Sequence, residues 1–203
     1  MDSVRDLRVQ FDPSLNFKRQ INSLVKNCSY HNRNLYAIKT YLDQQILLTL
    51  LHSLVMSRID YCSSLYVGLP RYLLGKLQSV LNRTTRLVFS APPRSPTTSL
   101  LIELHWLPVV ARIEFKICLI VYKVINFGEP KYLAEFLSPP IEFGMSIHSG
   151  RSFSYAAPRL YNHLPVQIKQ RNSVDSFKKN LKTFLFSQAY NSDDGTMNEG
   201  YRI

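Results

Sequence analysis

The sequence predicts a mainly α-helical protein, an irregular multi-helix bundle with one short strand near its amino end. Three observations carry this. Apolar residues recur at three- and four-residue spacing over most of the 203 residues, hydrophobic residues make up 45% of the chain, and there are only 7 glycines. That much apolar surface, spread throughout rather than held in one block, suffices for a distributed core.

The elements follow in order. Val4 to Phe11 sets apolar Leu7, Val9 and Phe11 against polar Asp6, Arg8 and Gln10, a period of two that reads as a single half-buried strand. A lone strand needs partners, so this segment is expected to belong to the edge of a larger sheet. After Asp12-Pro13-Ser14, helical spacing runs from Phe17 through Ile21, Leu24, Val25, Cys28, Leu35 and Ile38 to Tyr41. Asp43 can cap a second helix whose Ile46, Leu47, Leu50, Leu51, Leu54 and Val55 form one stripe ending near Tyr61.

Gly68 and Pro70 punctuate the chain before a third helix that buries Leu73, Leu74, Leu77, Val80, Leu81, Leu87 and Val88. Residues 91–96 (APPRSP) cannot continue a helix and mark the best internal boundary. A short helix from Thr97 to Leu104 precedes a longer one from Val109 to Phe127. The latter is apolar on two flanks and therefore central. Pro139 to Gly150 reads as a loop, and Pro158 and Pro165 bracket a compact helical turn. Ser173 caps a last helix with Val174, Phe177, Leu181, Phe184 and Leu185 inward, and the tail from Asn191 is polar and frayed. The expected organisation is a strand segment at 1–12, a helical bundle at 13–90, a second helical region at 91–190 and a disordered tail at 191–203.

With 25 basic and 14 acidic residues the formal charge is +11, enough to attract polyanions through solution. Nucleic acid is the leading partner; acidic neighbours supplied by another part of a larger protein would offset the same charge. An anionic membrane is a weaker candidate, since no lipidation motif or isolated amphipathic anchor is evident. No uncharged apolar run reaches the roughly 18 residues that cross a bilayer. The first residues lack a secretory apolar core, and three widely spaced cysteines suit reduced core thiols, so an intracellular setting is expected.

The basic faces are the constellation with a usable mechanism. Lys76, Arg83 and Arg86 share one exposed face of the third helix, Arg94 follows, and Lys178, Lys179 and Lys182 form a second stripe. Such cations neutralise phosphates without reading bases, though a solvated surface serves the same pattern. Tyr66, Tyr72 and Phe89 could stack on bases, with core packing the favoured role, and Trp106 is expected to lock the turn before Pro108 to the core.

Other chemistries fare less well. The adjacent carboxylates Asp193-Asp194 lie in NSDDGTMNEG without flanking apolar strands to hold two metal ions. Cys28 and His31 have ligand spacing but no second pair. Cys62 with His52 or His105 lacks a nucleophile elbow, and no Gly-rich phosphate loop exists. No catalytic or metal-ligating residue is assigned.

Several stretches carry a family resemblance: VRDLRVQFDPSLNFKRQINSLVKNC from Val4, RIDYCSSLYVGLP from Arg58, LHWLPVVARIEFKI from Leu104, and RSFSYAAPRLYNHLP with SFKKNLKTFLF from Arg151. Together, over about Val4 to Tyr190, they resemble the segment that follows the catalytic palm in non-LTR (LINE-type, jockey-like) retrotransposon reverse transcriptases. Arg8 stands where that family usually has glycine, and Tyr161 where tryptophan is common. The loop between Ser138 and Arg151 is shorter than that pattern.

The resemblance implies that the amino-terminal strand is left over from a palm-type sheet, and that the helices correspond to the thumb and C-terminal region. It further implies an RNA, DNA or hybrid duplex as partner, a palm supplied elsewhere, and Mg2+ for that palm but no cofactor for this chain. The matching residues include none of the family's catalytic ones, so the chain is expected not to polymerise DNA alone. A non-functional or domesticated remnant serving as a helical protein-interaction module is the alternative.

Overall fold

The computed structural model describes residues 4–137, 152–190, 197–198 and 200–201, and these are mainly helical. The loop expected between Pro139 and Gly150 and the Asp193-Asp194 pair lie outside the described residues. The extended amino-terminal segment is folded back on itself. Strand β1 (Val4–Asp6) pairs antiparallel with β2 (Val9–Phe11), Asp6 opposite Val9, leaving Leu7 and Arg8 as a two-residue turn. Both turn residues have positive φ, 43° and 66°, the backbone that glycine or asparagine adopts most readily. Leu-Arg lacks that signature, so alternation alone reads as one continuous strand.

The hairpin is not left without a partner in this chain. Val9 is buried, the Gln10 N–H donates to Gln20 Oε1 at 3.0 Å, and the Tyr61 hydroxyl donates to the Leu7 carbonyl at 2.9 Å. Asp12 then gathers the next turn, accepting from the backbone N–H groups of Asn16 and Phe17. These bonds hold its carboxyl below the usual range against the opposing effect of burial.

Helix α1 (Lys18–Ile38) buries Ile21, Leu24, Cys28 and Leu35, as its spacing predicts. A 3-10 turn, Lys39–Tyr41, ends it, and the Asp43 carboxylate caps α2 (Gln44–Leu51) by accepting from the Gln45 N–H at 3.1 Å. The coil continues through a π turn, His52–Met56, into α3 (Ser57–Asp60). Cys28 Sγ lies 4.0 Å from the Val55 carbonyl, and burial pushes this thiol up to about 11.

Helix α4 (Arg71–Val88) buries all seven residues of its expected inner stripe. Its direction relative to α1 follows from three bonds: Lys76 Nζ to Asn22 Oδ1, Asn32 Nδ2 to Thr84 Oγ1, and Lys39 Nζ to Ser90 Oγ. Both partners advance together, so the helices run parallel. Helix α5 (Thr98–Glu103) leads to α6 (Val109–Phe127), which packs against α4, α8 and α10 and is the central element, as expected. The buried Gln78 side chain of α4 accepts from the Val109 N–H at 2.9 Å, satisfying a donor at the start of α6.

Helices α7 (Lys131–Leu137), α8 (Phe153–Asn162), α9 (Val166–Lys169) and α10 (Val174–Tyr190) complete the bundle. Pro158 lies inside α8 rather than at its edge; Pro165 does precede α9. Ser173 Oγ accepts from the Ser176 N–H, the cap its position predicts. Tyr122 and Phe177, both fully buried, stack with ring centroids 3.9 Å apart and join α6 to α10. Truncating Phe177 to alanine would remove on the order of 3–5 kcal/mol.

Two expectations about organisation change. Residues 92–95 do form a turn, with the Ser95 N–H donating to the Pro92 carbonyl. The helices on either side nevertheless share one hydrophobic cluster that runs from Val9 to Tyr201, so 13–90 and 91–190 are one packing unit. In the tail, Tyr201 is buried and donates to Glu114 Oε2 at 2.9 Å, and the Asn198 N–H donates to the Ala189 carbonyl. This part of the tail returns to the helical body instead of fraying.

Candidate nucleic-acid interface

The parallel packing of α1 and α4 sets two polar stripes side by side. On α4, Tyr72, Lys76, Ser79, Arg83 and Arg86 repeat at four and three residues, and on α1 Asn22, Lys26, Ser29, Arg33 and Tyr36 do the same. Between them lies a groove of about 540 Å³ lined by Arg33, Tyr36, Arg83 and Arg86. Asn32 is part of its lining, and its Nδ2 donates at 2.9 Å to the fully buried Thr84 Oγ1 of α4. Thr84 also donates to the Val80 carbonyl, so the pair is tied into the ladder of α4.

The electrostatics of this seam follow from what the sequence omits. Residues 13–42 contain Lys18, Arg19, Lys26, Arg33 and Lys39 and no carboxylate. Residues 61–102 contain Arg71, Lys76, Arg83, Arg86 and Arg94, again with no carboxylate. The excess positive charge is therefore concentrated on the segments that carry α1 and α4, which contribute no carboxylate of their own. Among the described residues, Lys26, Arg33 and Arg83 are exposed and make no hydrogen bond or ion pair.

The expected site residues divide accordingly. Lys76, Arg83 and Arg86 fall on one face, but only Arg83 is exposed; Lys76 and Arg86 are half-buried, and Lys76 Nζ donates to Asn22 Oδ1 at 2.7 Å. Arg86 is also structural, its Nε donating to the Ser95 carbonyl at 3.0 Å. Arg94 is exposed within the following turn. The second stripe is less uniform. Lys178 is paired with Asp175 at 3.1 Å, Lys179 is exposed, and Lys182 lines a separate recess with His52, Trp106 and Arg112. Sequence reasoning misses Lys26, Arg33 and Lys39, because the apolar periodicity of α1 marks only its buried side; the carboxylate-free stretches are the signal available.

The aromatic residues also separate. Tyr66 is buried and Phe89 half-buried, whereas Tyr72 is 60% exposed and Tyr36 is 62% exposed, with Lys39 Nζ 4.6 Å from the Tyr36 ring centroid. Trp106 is buried with its carbonyl accepting from the Tyr190 hydroxyl at 2.7 Å, the anchoring role its setting predicts.

The competing chemistries gain nothing from the geometry. His52 packs edge-on against Trp106 and His105 stacks on Phe186, while Cys62 borders a different recess beside Lys116. Burial and the charge of Arg112 hold the His52 imidazole below its usual value. Among the described residues, no group of three or more His, Cys, Asp or Glu side chains is placed to hold a metal ion. Cys118 is pushed up to about 12 by burial and by Glu114, a protonated core thiol. No helix among the described residues is long and apolar enough to cross a membrane. Comparison with known protein families, curated proteins and solved structures finds no match.

Proposed function

We propose that the α1–α4 seam holds a nucleic-acid duplex by its phosphates, and that the chain is the duplex-gripping, non-catalytic portion of a non-LTR retrotransposon reverse transcriptase. The observation that carries the binding reading is the juxtaposition of two carboxylate-free helices whose cations line one groove. Lys76 to Arg86 spans ten residues, about 15 Å along α4. At an axial rise of about 3.4 Å per nucleotide, that length faces roughly four phosphates of one strand. Exposed Tyr36 and Tyr72 flank the same rail and offer rings to an unpaired base.

Such a surface fixes position without reading sequence, because phosphates carry no base information. A moving template-primer needs that kind of grip, and the resemblance of the post-palm stretches supports assigning it to a thumb. Fluorescence-anisotropy titration against an RNA–DNA hybrid tests the reading. Arg33→Ala and Arg83→Ala should each weaken binding roughly tenfold at 0.1 M salt, with no change in sequence preference. Unchanged affinity in both variants would refute it. Primer extension with Mg2+ should give no incorporation; incorporation would overturn the assignment to a non-catalytic portion.

A further inference from the structure

A second polar cleft lies on the other flank of α1, where Ser23 and Asn27 project rather than Lys26 and Arg33. It has a volume of about 670 Å³ and opens between the hairpin, α1 and the π turn with α3. Two cations face it, Arg8 from the hairpin turn and Arg58 from α3, and none of its lining residues is acidic. Gln10, Ser23 and Asn27 supply side-chain donors that, like both guanidinium groups, have no hydrogen-bond partner among the described residues.

Two backbone irregularities shape this cleft. Arg8 sits at φ 66°, a left-handed conformation that costs an arginine where glycine is at ease. The π turn at His52–Met56 adds one residue to the coil and so rotates Ser57 and Arg58 by about 100° relative to an unbroken α-helix. Both departures from regular structure lie beside the same pair of guanidinium groups, as expected where irregular backbone serves a site.

We propose that this cleft is a phosphomonoester site of the size of a nucleoside monophosphate. Two arginines without a carboxylate between them match a dianion, and guanidinium recognises phosphate oxygens in bidentate fashion. A bare phosphate would leave most of the volume unfilled. The remaining space is bordered by the Gln10 and Asn27 carboxamides, which suit the hydroxyls or base edge of a nucleoside, and by Leu24 and the Tyr61 ring, which suit its apolar face. The same group can arrive free or as the 5′ end of a strand. The proposal does not rest on the duplex reading of the α1–α4 seam.

Calorimetric titration and amide-shift mapping of the full chain with inorganic phosphate, adenosine, adenosine monophosphate, and an oligothymidylate with or without a 5′ phosphate test it. The monophosphate should bind saturably and more tightly than inorganic phosphate, with adenosine silent and shifts centred on Ser23, Asn27 and Arg58. Arg58→Gln and Arg8→Gly should each weaken it about tenfold, the latter at a position whose backbone suits glycine, while Arg33→Ala/Arg83→Ala leaves it intact. A gain for the 5′-phosphorylated strand that Arg58→Gln removes assigns a strand end; a gain for the free nucleotide alone assigns that source. No saturable binding at millimolar monophosphate, binding indifferent to both variants, or loss in the Arg33→Ala/Arg83→Ala protein would overturn the proposal.

Discussion

Replacing Thr84 by valine removes the bond that ties α4 to the groove residue Asn32, together with the Thr84–Val80 back-bond, without touching the charge of the groove. Thr84 Oγ1 accepts from Asn32 Nδ2 at 2.9 Å, and the two residues are 0% and 8% exposed. Valine keeps the shape but leaves the Asn32 amide without its partner, which costs about 1–3 kcal/mol for a buried donor. The slight exposure of Asn32 places the expected loss near the middle, about 1.5 kcal/mol, or roughly 3–6 °C in Tm for a chain of this length. The Asn32→Leu/Thr84→Val double variant removes both polar groups and should recover about 1 kcal/mol of the summed single losses. Urea denaturation of all four proteins measures the coupling. Strictly additive single losses, or a Thr84→Val loss under about 0.3 kcal/mol, would show that the pair does not join these helices.

Further outcomes follow from other contacts. Asp60 accepts two 2.9 Å bonds from Arg112 Nη1, and Arg112 Nε donates to the Leu107 carbonyl, so Asp60→Asn should cost about 1.5–3 kcal/mol by denaturant titration. Glu114 is raised by burial and partly offset by the Tyr201 hydroxyl, so the folded state binds its proton more tightly than the unfolded state. Its contribution to stability therefore rises as pH falls through the folded value towards 4.5 and is lost above it. Tyr201→Phe should destabilise most at neutral pH, by about 1–2 kcal/mol, with the gap in Tm closing in acid. Replacing the turn residues, Leu7→Asn with Arg8→Gly, should raise stability by about 0.5–1 kcal/mol, seen as a higher Tm and slower amide exchange in β2.

Most of the helical architecture was legible because its signals are local. The α4 stripe, the Asp43 and Ser173 caps and the central place of α6 each follow from spacing or from a side chain within three residues of its partner. What escaped depends on the folded chain. The Leu7-Arg8 turn has none of the residues that favour positive φ, so only pairing across the hairpin and docking through Val9 reveal it. The π turn sits in a stretch whose composition suits an ordinary helix. Tyr201 looks like one residue of a polar tail until Glu114, 87 positions away, supplies its partner. For the site, Arg83 and Arg86 were visible from one helix, but Arg33 joins them only because α1 and α4 run parallel.

The dependence of hybrid-duplex affinity on salt tests the central claim most directly. If the seam engages about four phosphates, the logarithm of the binding constant should fall against the logarithm of salt concentration with a slope of about −3.6. Removing Arg33 and Arg83 together should make that slope shallower by about 2 units, with the folded spectrum unchanged. A flat salt response, or a slope identical in the double variant, would contradict the account.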